Sequence, residues 1–122
     1  MLLTQEENAA DYVIHQVTSA TVTINHQCYT QSLLLMPHHL IFPWRPRTLE
    51  ELQPQDFAVL LATPPELIVL GVGAQGGKLS PELYVYLWQN QLVIECMSLP
   101  AAARTYTILS AENRAVVAAM IM

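Results

Sequence analysis

Two uninterrupted apolar runs constrain this chain more than any other feature. They are ELIVLGV, starting at Glu66, and LVIECM, starting at Leu92. Both lack polar alternation, so each reads as a strand covered on both faces. The segment between them, SPELYVYLWQNQ, opens as a helix. Ser80 caps the free N–H groups, and Pro81 takes the first position, where a missing N–H is no loss. Glu82 then meets the positive end of the helix dipole. A strand–helix–strand unit of this kind calls for parallel pairing under helical cover.

The rest of the chain extends that unit. Residues 1–8 read as a polar tail. YVIHQVTSATVTIN is rich in β-branched residues and reads as a strand or hairpin turning at Thr18–Ala20. HQCYTQSLLLMP reads as a further strand ending at Pro37, so residues 11–36 form an N-terminal antiparallel β layer. HHLIFPWRPRT reads as an ordered loop, broken by Pro43 and Pro46. Thr48 and Glu51 have capping-box spacing. A short helix is expected over 54–62, with Phe57, Leu60 and Leu61 inward, stopped by Pro64 and Pro65. Ser98 and Pro100 open another helix, SLPAAARTYTILSAEN. Asn113 ends it, since Asn tolerates the left-handed conformation of a helix stop. RAVVAAMIM fits helix or strand, and its valines favour a final strand. The order from residue 54 is thus helix and strand in alternation: a single α/β domain over 1–122, its sheet mixed and mostly parallel.

The first strand runs into GVGAQGG, where Gly71, Gly73 and Gly76 spell G-x-G-x-x-G and Glu95 follows on the next strand. That wording belongs to dinucleotide-binding sites. In such sites the helix starts inside the glycine motif, so that its free N–H groups face the pyrophosphate. Here the helix start waits until Ser80–Pro81, and too little chain follows for a second nucleotide-binding half. The glycines read instead as a turn that needs positive φ and close backbone approach. No cofactor is expected.

Composition narrows the function classes. Net charge is −5, with Lys78 the one lysine beside Arg45, Arg47, Arg104 and Arg114. No basic stripe exists to neutralise phosphates, which argues against nucleic-acid binding. No apolar run reaches the roughly 18 residues of a membrane span. MLLTQEEN has no basic-then-apolar pattern, so no export signal is read and a cytoplasmic location is expected. Apolar residues make up 52% of the chain and charged ones 12%. Two accounts fit: apolar surface covered by a partner or a second copy, or a thick core under a polar Gln/Thr/Asn/Ser surface.

Individual residues carry little catalytic chemistry. Cys28 and Cys96 read as reduced thiols. His38 and His39, with His26 and Cys28, lack metal-ligand spacing, because adjacent side chains on an extended segment point opposite ways. Ser80 and Ser98 are helix caps, and Glu6–Glu7 and Glu50–Glu51 are solvated pairs. No catalytic residues are assigned. Trp44 and Arg45, within PWRPR, are a rigid aromatic flanked by guanidinium groups, the type of set that anchors interfaces; the alternative is a Trp that lids the core. Arg104 either forms a structural ion pair or, beside the glycine loop, helps to hold a small anion.

At RTYTILSAENRAVVAAMI the chain resembles the small Mth-type domain of unknown function, found in many bacteria and archaea. The residues that carry the likeness are Met97, Ala102, Ala103, Arg104, Thr105, Tyr106, Leu109, Glu112 and Arg114. Gly71 and Gly73 match that family's Gly-Thr-Gly after a strand, and Pro43–Trp44 match its Pro-Trp. Thr107 stands where the family has Asn, Asn113 where it has Gly, and Ser98–Leu99 where it has Asp-Thr. The resemblance implies a three-layer α/β sandwich with a final strand, and no established catalysis. Its eukaryotic relatives include a mitochondrial assembly factor for respiratory complex I, which acts by binding partner proteins, and an adipogenesis-associated protein. Bacterial relatives are loosely linked to membrane-protein biogenesis.

Two functional expectations follow. The leading one is a non-catalytic protein-binding or assembly module, its partner another protein or a second copy, with Trp44 and Arg45 at the interface. The rival is a small-molecule or anion-binding protein with a pocket lined by Gly71, Gly73, Arg104 and Tyr106, at the carboxyl end of the LIVLG strand.

Overall fold

A computed structural model describes residues 10–122; the tail over 1–8 and Glu6–Glu7 lie outside the described residues. Eight strands form two sheets. β1 (Ile14–Val17), β2 (Val22–Ile24) and β3 (Gln27–Tyr29) make an antiparallel meander. β4 (Leu33–Met36), β5 (His39–Ile41), β6 (Leu67–Val72), β7 (Ile94–Met97) and β8 (Val116–Ile121) make a mixed sheet in the order β5-β4-β8-β6-β7. The β6·β7 and β6·β8 pairs are parallel, while β4 runs antiparallel to both β5 and β8. Two α-helices cover the sheet, α1 (Pro81–Gln89) and α2 (Leu99–Ala111), together with 3₁₀ turns at Leu49–Glu51 and Pro54–Leu60.

Of the two continuous apolar runs, β6 is central and buried as its composition requires, but β7 is not covered as expected: it ends the sheet, with Glu95 exposed and its other residues half-buried. β8 is buried at every residue, and its side chains divide by alternation. Val117, Ala119 and Ile121 face α1 and the second 3₁₀ turn, joined by Leu34, Ile68 and Leu70. Val116, Ala118 and Met120 face α2 and the small sheet, joined by Leu33, Leu35 and Val69. The result is the expected three-layer sandwich, and the final segment is a strand. α2 ends where expected: Asn113 adopts φ 60, with its N–H donating to the Ser110 carbonyl.

Four local expectations are corrected. Residues 27–36 do not form one strand: the chain breaks at Ser32, so β3 stays in the small sheet and β4 enters the main one. Ser32 is buried there, exchanging hydrogen bonds with the Met122 backbone and accepting at its carbonyl from the Trp44 N–H. The loop after Pro37 contains β5, because His39–Ile41 pairs back onto β4. The helix expected over 54–62 is a 3₁₀ turn that buries Phe57 and Leu60 but leaves Leu61 exposed. Its tighter winding moves position 61 off the inward face. Thr48 makes no side-chain cap; the Glu51 carboxylate instead accepts from the Arg47 N–H.

The glycine turn closes this fold. A Cβ on Gly71 would stand 2.6 Å from the Ala102 Cβ, so only glycine lets α2 lie so close to β6. Gly73 has φ +60 and turns the chain out of the sheet. Its carbonyl accepts from the Leu99 N–H at 2.9 Å, which ties the turn to the first residue of α2.

Candidate protein-binding surface

The residues singled out in the glycine region are not gathered at one site. Gly71 and Gly73 abut the start of α2. The donors of that helix end are spent: the Leu99 N–H on Gly73, the Ala101 N–H on the Ser98 hydroxyl at 3.2 Å, while Pro100 has none. Arg104 is exposed on the far side of α2, lining a shallow groove with β1 residues such as His15 and Val17. The helical period explains the separation, since Ala102 faces Gly71 and a residue two positions on points away. Tyr106 is buried in the core between α2 and the sheets. Its phenol is pushed up to about 12 by burial, with nearby Ser110 opposing. No hydrogen bond of ordinary geometry reaches its hydroxyl among the described residues.

Trp44 and Arg45 diverge although they are adjacent. Trp44 is 7% exposed and packs edge-to-face on Phe57, with Nε1 donating to the Asp56 carbonyl at 3.2 Å. Arg45 grips the buried Asp56 carboxylate with two bonds, Nε to Oδ1 at 2.8 Å and a terminal nitrogen to Oδ2 at 2.7 Å. Asp56 also accepts from the Gln53 N–H at 2.8 Å. Together these bonds tie the two ends of the 44–56 segment to each other, while Trp44 and Phe57 pack into the core. The planar fork of Arg matches a carboxylate in a way that Lys does not.

The histidines and cysteines are dispersed. His38 pairs with Asp11 at 3.1 Å, and His15 lies parallel to His26 with ring centroids 6.3 Å apart. Cys28 is exposed on the small sheet. Cys96 is half-buried, and burial raises its thiol pKa, although hydrogen bonds from Tyr84 and the Leu79 backbone pull the other way. A protonated thiol is a poor nucleophile. Among the described residues no three His, Cys, Asp or Glu side chains cluster as metal ligands.

An apolar surface with no inward partner lies on α1. Leu83 and Leu87 form its inward stripe, one turn apart. Tyr84, Val85 and Trp88 project outward, at 43%, 52% and 80% exposure. The chain then reverses tightly: Asn90 donates to the Tyr86 and Leu87 carbonyls, Gln91 takes φ 61, and Leu92 donates to the Leu87 carbonyl. That reversal sets Val93, 56% exposed, beside the helix. Tyr84, Trp88, Val93 and Ile94 thereby line a groove of about 740 Å³ whose walls hold no charged residue. It reaches β7, an outer strand of the main sheet, at Ile94. Contiguous exposed apolar area of this kind marks interaction sites, and Trp and Tyr are the residues most often dominant there.

None of these side chains was singled out from the sequence. The signal was present: α1 carries Leu83, Tyr84, Val85, Tyr86, Leu87 and Trp88 in succession, apolar around its circumference. A helix apolar all round is a helix covered on more than one side.

Comparisons with known proteins agree with the architecture. The model of a family described as "Protein of unknown function (DUF498/DUF598)" matches residues 14–121. A solution structure from Xanthomonas campestris is 34% identical and superposes with a TM-score of 0.85, over 99% of this chain and 92% of that one. A crystal structure from Bordetella parapertussis, 24% identical, gives 0.82 over 93% and 96%. A Bordetella pertussis structure described as a Mth938-like domain, 22% identical, gives 0.74 over 90% and 85%. The zebrafish (Danio rerio) protein named NADH dehydrogenase [ubiquinone] 1 alpha subcomplex assembly factor 3 is 26% identical over 119 residues, 96% of this chain and 68% of its own length. The family model's match over residues 14–121, with the shared sandwich, places this protein in the DUF498/DUF598 family, the Mth-type domains of unknown function.

Proposed function

We propose that this chain is a non-catalytic protein-binding module that acts in assembling a larger protein complex, and that its binding surface is the groove between α1 and β7. One observation carries the reading: Trp88 stands 80% exposed in an uncharged apolar surface, beside the outer strand of the main sheet. An exposed indole contributes almost nothing to folding, and at an interface it is the side chain most able to anchor a partner. The likeness to a complex I assembly factor supports the same class of role, in the biogenesis of respiratory or other membrane-protein complexes. Unbridged thiols at Cys28 and Cys96 suit a reducing, cytoplasmic compartment.

The test is affinity capture from the native host with the full chain and with Trp88→Ala, followed by identification and reconstitution of the retained protein. The reading expects a defined partner that binds the purified chain and is lost with Trp88→Ala while the fold is unchanged. Equal retention by both chains, or no partner that reconstitutes, would overturn it.

A further inference from the structure

The groove borders a strand whose outer edge is open among the described residues, where β7 pairs with β6 on one side only. The Val93 carbonyl accepts from the Ile68 N–H at 2.8 Å, so Val93 and Glu95 turn their backbone groups toward β6. Backbone groups of a pleated strand alternate sides, so the N–H and C=O groups of Ile94 and Cys96 point outward, away from the sheet.

The two faces of β7 differ in chemistry. Ile94 and Cys96 lie on the α1 side, packed against the core there. Glu95 therefore projects from the opposite face, is exposed, and forms no ion pair among the described residues. Any strand added to this edge must alternate in the same way. Its residues on the α1 side meet Tyr84 and Trp88 beside Ile94, and a residue between them lies beside Glu95.

Resting on the protein-binding reading, we infer that the partner supplies an extended segment with an apolar–basic–apolar pattern, which adds to β7 as a sixth strand. A Lys or Arg of that segment meets Glu95, and its flanking apolar side chains enter the groove. The charge argument sets this occupant apart from a second copy. Two β7 strands paired antiparallel about Glu95 would place two carboxylates opposite each other, which is destabilising, whereas opposite charges across strands are favourable. The chain's net charge of −5 also favours a basic partner segment over itself. Strand addition takes its affinity from backbone hydrogen bonds and its selectivity from the alternate side chains.

Selection of a random nonapeptide display library on the full chain tests this. The expected winners carry Lys or Arg between two apolar residues, and on Glu95→Lys the central residue turns acidic. Peptides chosen on one chain bind the other about two- to five-fold more weakly, the range of one cross-strand charge pair. Bound peptide also slows hydrogen exchange at the Ile94 and Cys96 amides. Winners that need Trp88 but keep the same sequence on Glu95→Lys, with those amides unprotected, overturn strand addition and leave the surface intact. Winners indifferent to Trp88→Ala overturn both readings. A dimer in sedimentation that itself protects Ile94 and Cys96 overturns the basic segment in favour of self-pairing.

Discussion

The two tryptophans face opposite fates within one small domain. Trp44 sits 7% exposed between the sheet and Phe57, its indole N–H satisfied by Asp56. Trp88 sits 80% exposed on α1. Sequence context points the other way. Trp44 lies in a proline-broken loop, where exposure is the ordinary expectation, and Trp88 lies in an apolar helix, where burial is. The difference teaches that a clamp can turn a loop into core. Arg45 and Gln53 close the 44–56 segment on Asp56, so that Trp44 and Phe57 enter the core together, while α1 buries only Leu83 and Leu87.

The largest break in that comparison is Trp44→Ala. It leaves a cavity beside Phe57 and strips the Asp56 carbonyl of its donor, so a loss of about 3–5 kcal/mol is expected in chemical denaturation. Under the proposed function, partner capture by the folded fraction is unchanged. Gly71→Ala comes next, since its new methyl meets Ala102 and forces α2 off β6; about 1–3 kcal/mol is expected to be lost. Asp56→Asn should lower the denaturation midpoint by less than Trp44→Ala does, because the half-exposed Arg45 recovers water when its partner's charge is removed.

Tyr106→Phe tests the interior from the opposite direction. Removing a buried hydroxyl that lacks a partner should stabilise by roughly 1 kcal/mol. It also predicts a pH effect. The folded phenol titrates near 12 and the unfolded one near 10, so the unfolded state loses its proton first. Stability is then full below pH 10 and falls between 10 and about 12. Urea midpoints measured across that window should fall more steeply for the parent chain than for Tyr106→Phe. The smallest expected stability change is that of Trp88→Ala, within about 0.5 kcal/mol, paired with loss of the partner. A Trp88→Ala chain that unfolds as readily as Trp44→Ala would erase the distinction between the two residues.

The sandwich was legible because its signals are local. The unbroken apolar run of β6 marks a central strand, Ser followed closely by Pro marks helix starts, and Asn113 marks a helix stop, whereas the similarly apolar run of β7 ends the sheet. The small sheet was legible only as a layer. Nothing local announces that Ser32, by bonding Met122 across 90 residues, sends β4 into the other sheet. The candidate surface was less legible still. Arg104 and Gly71 are brought near in sequence logic by sharing a helix and the turn beside it, yet helical phase directs Arg104 elsewhere.

By itself, the sequence determined which segments must be buried, where helices begin and end, and that a glycine turn leaves β6. Those follow from short-range sterics, capping and apolar content. Only the tertiary structure decided which apolar side chains remain uncovered. Burial depends on how many faces of an element have neighbours, and among the described residues α1 has the sheet on one side and none on the side where Trp88 stands. The edge of β7 is the same kind of fact: a strand's residues do not reveal whether it ends the sheet, and that position is what leaves the backbone N–H and C=O groups of Ile94 and Cys96 facing outward.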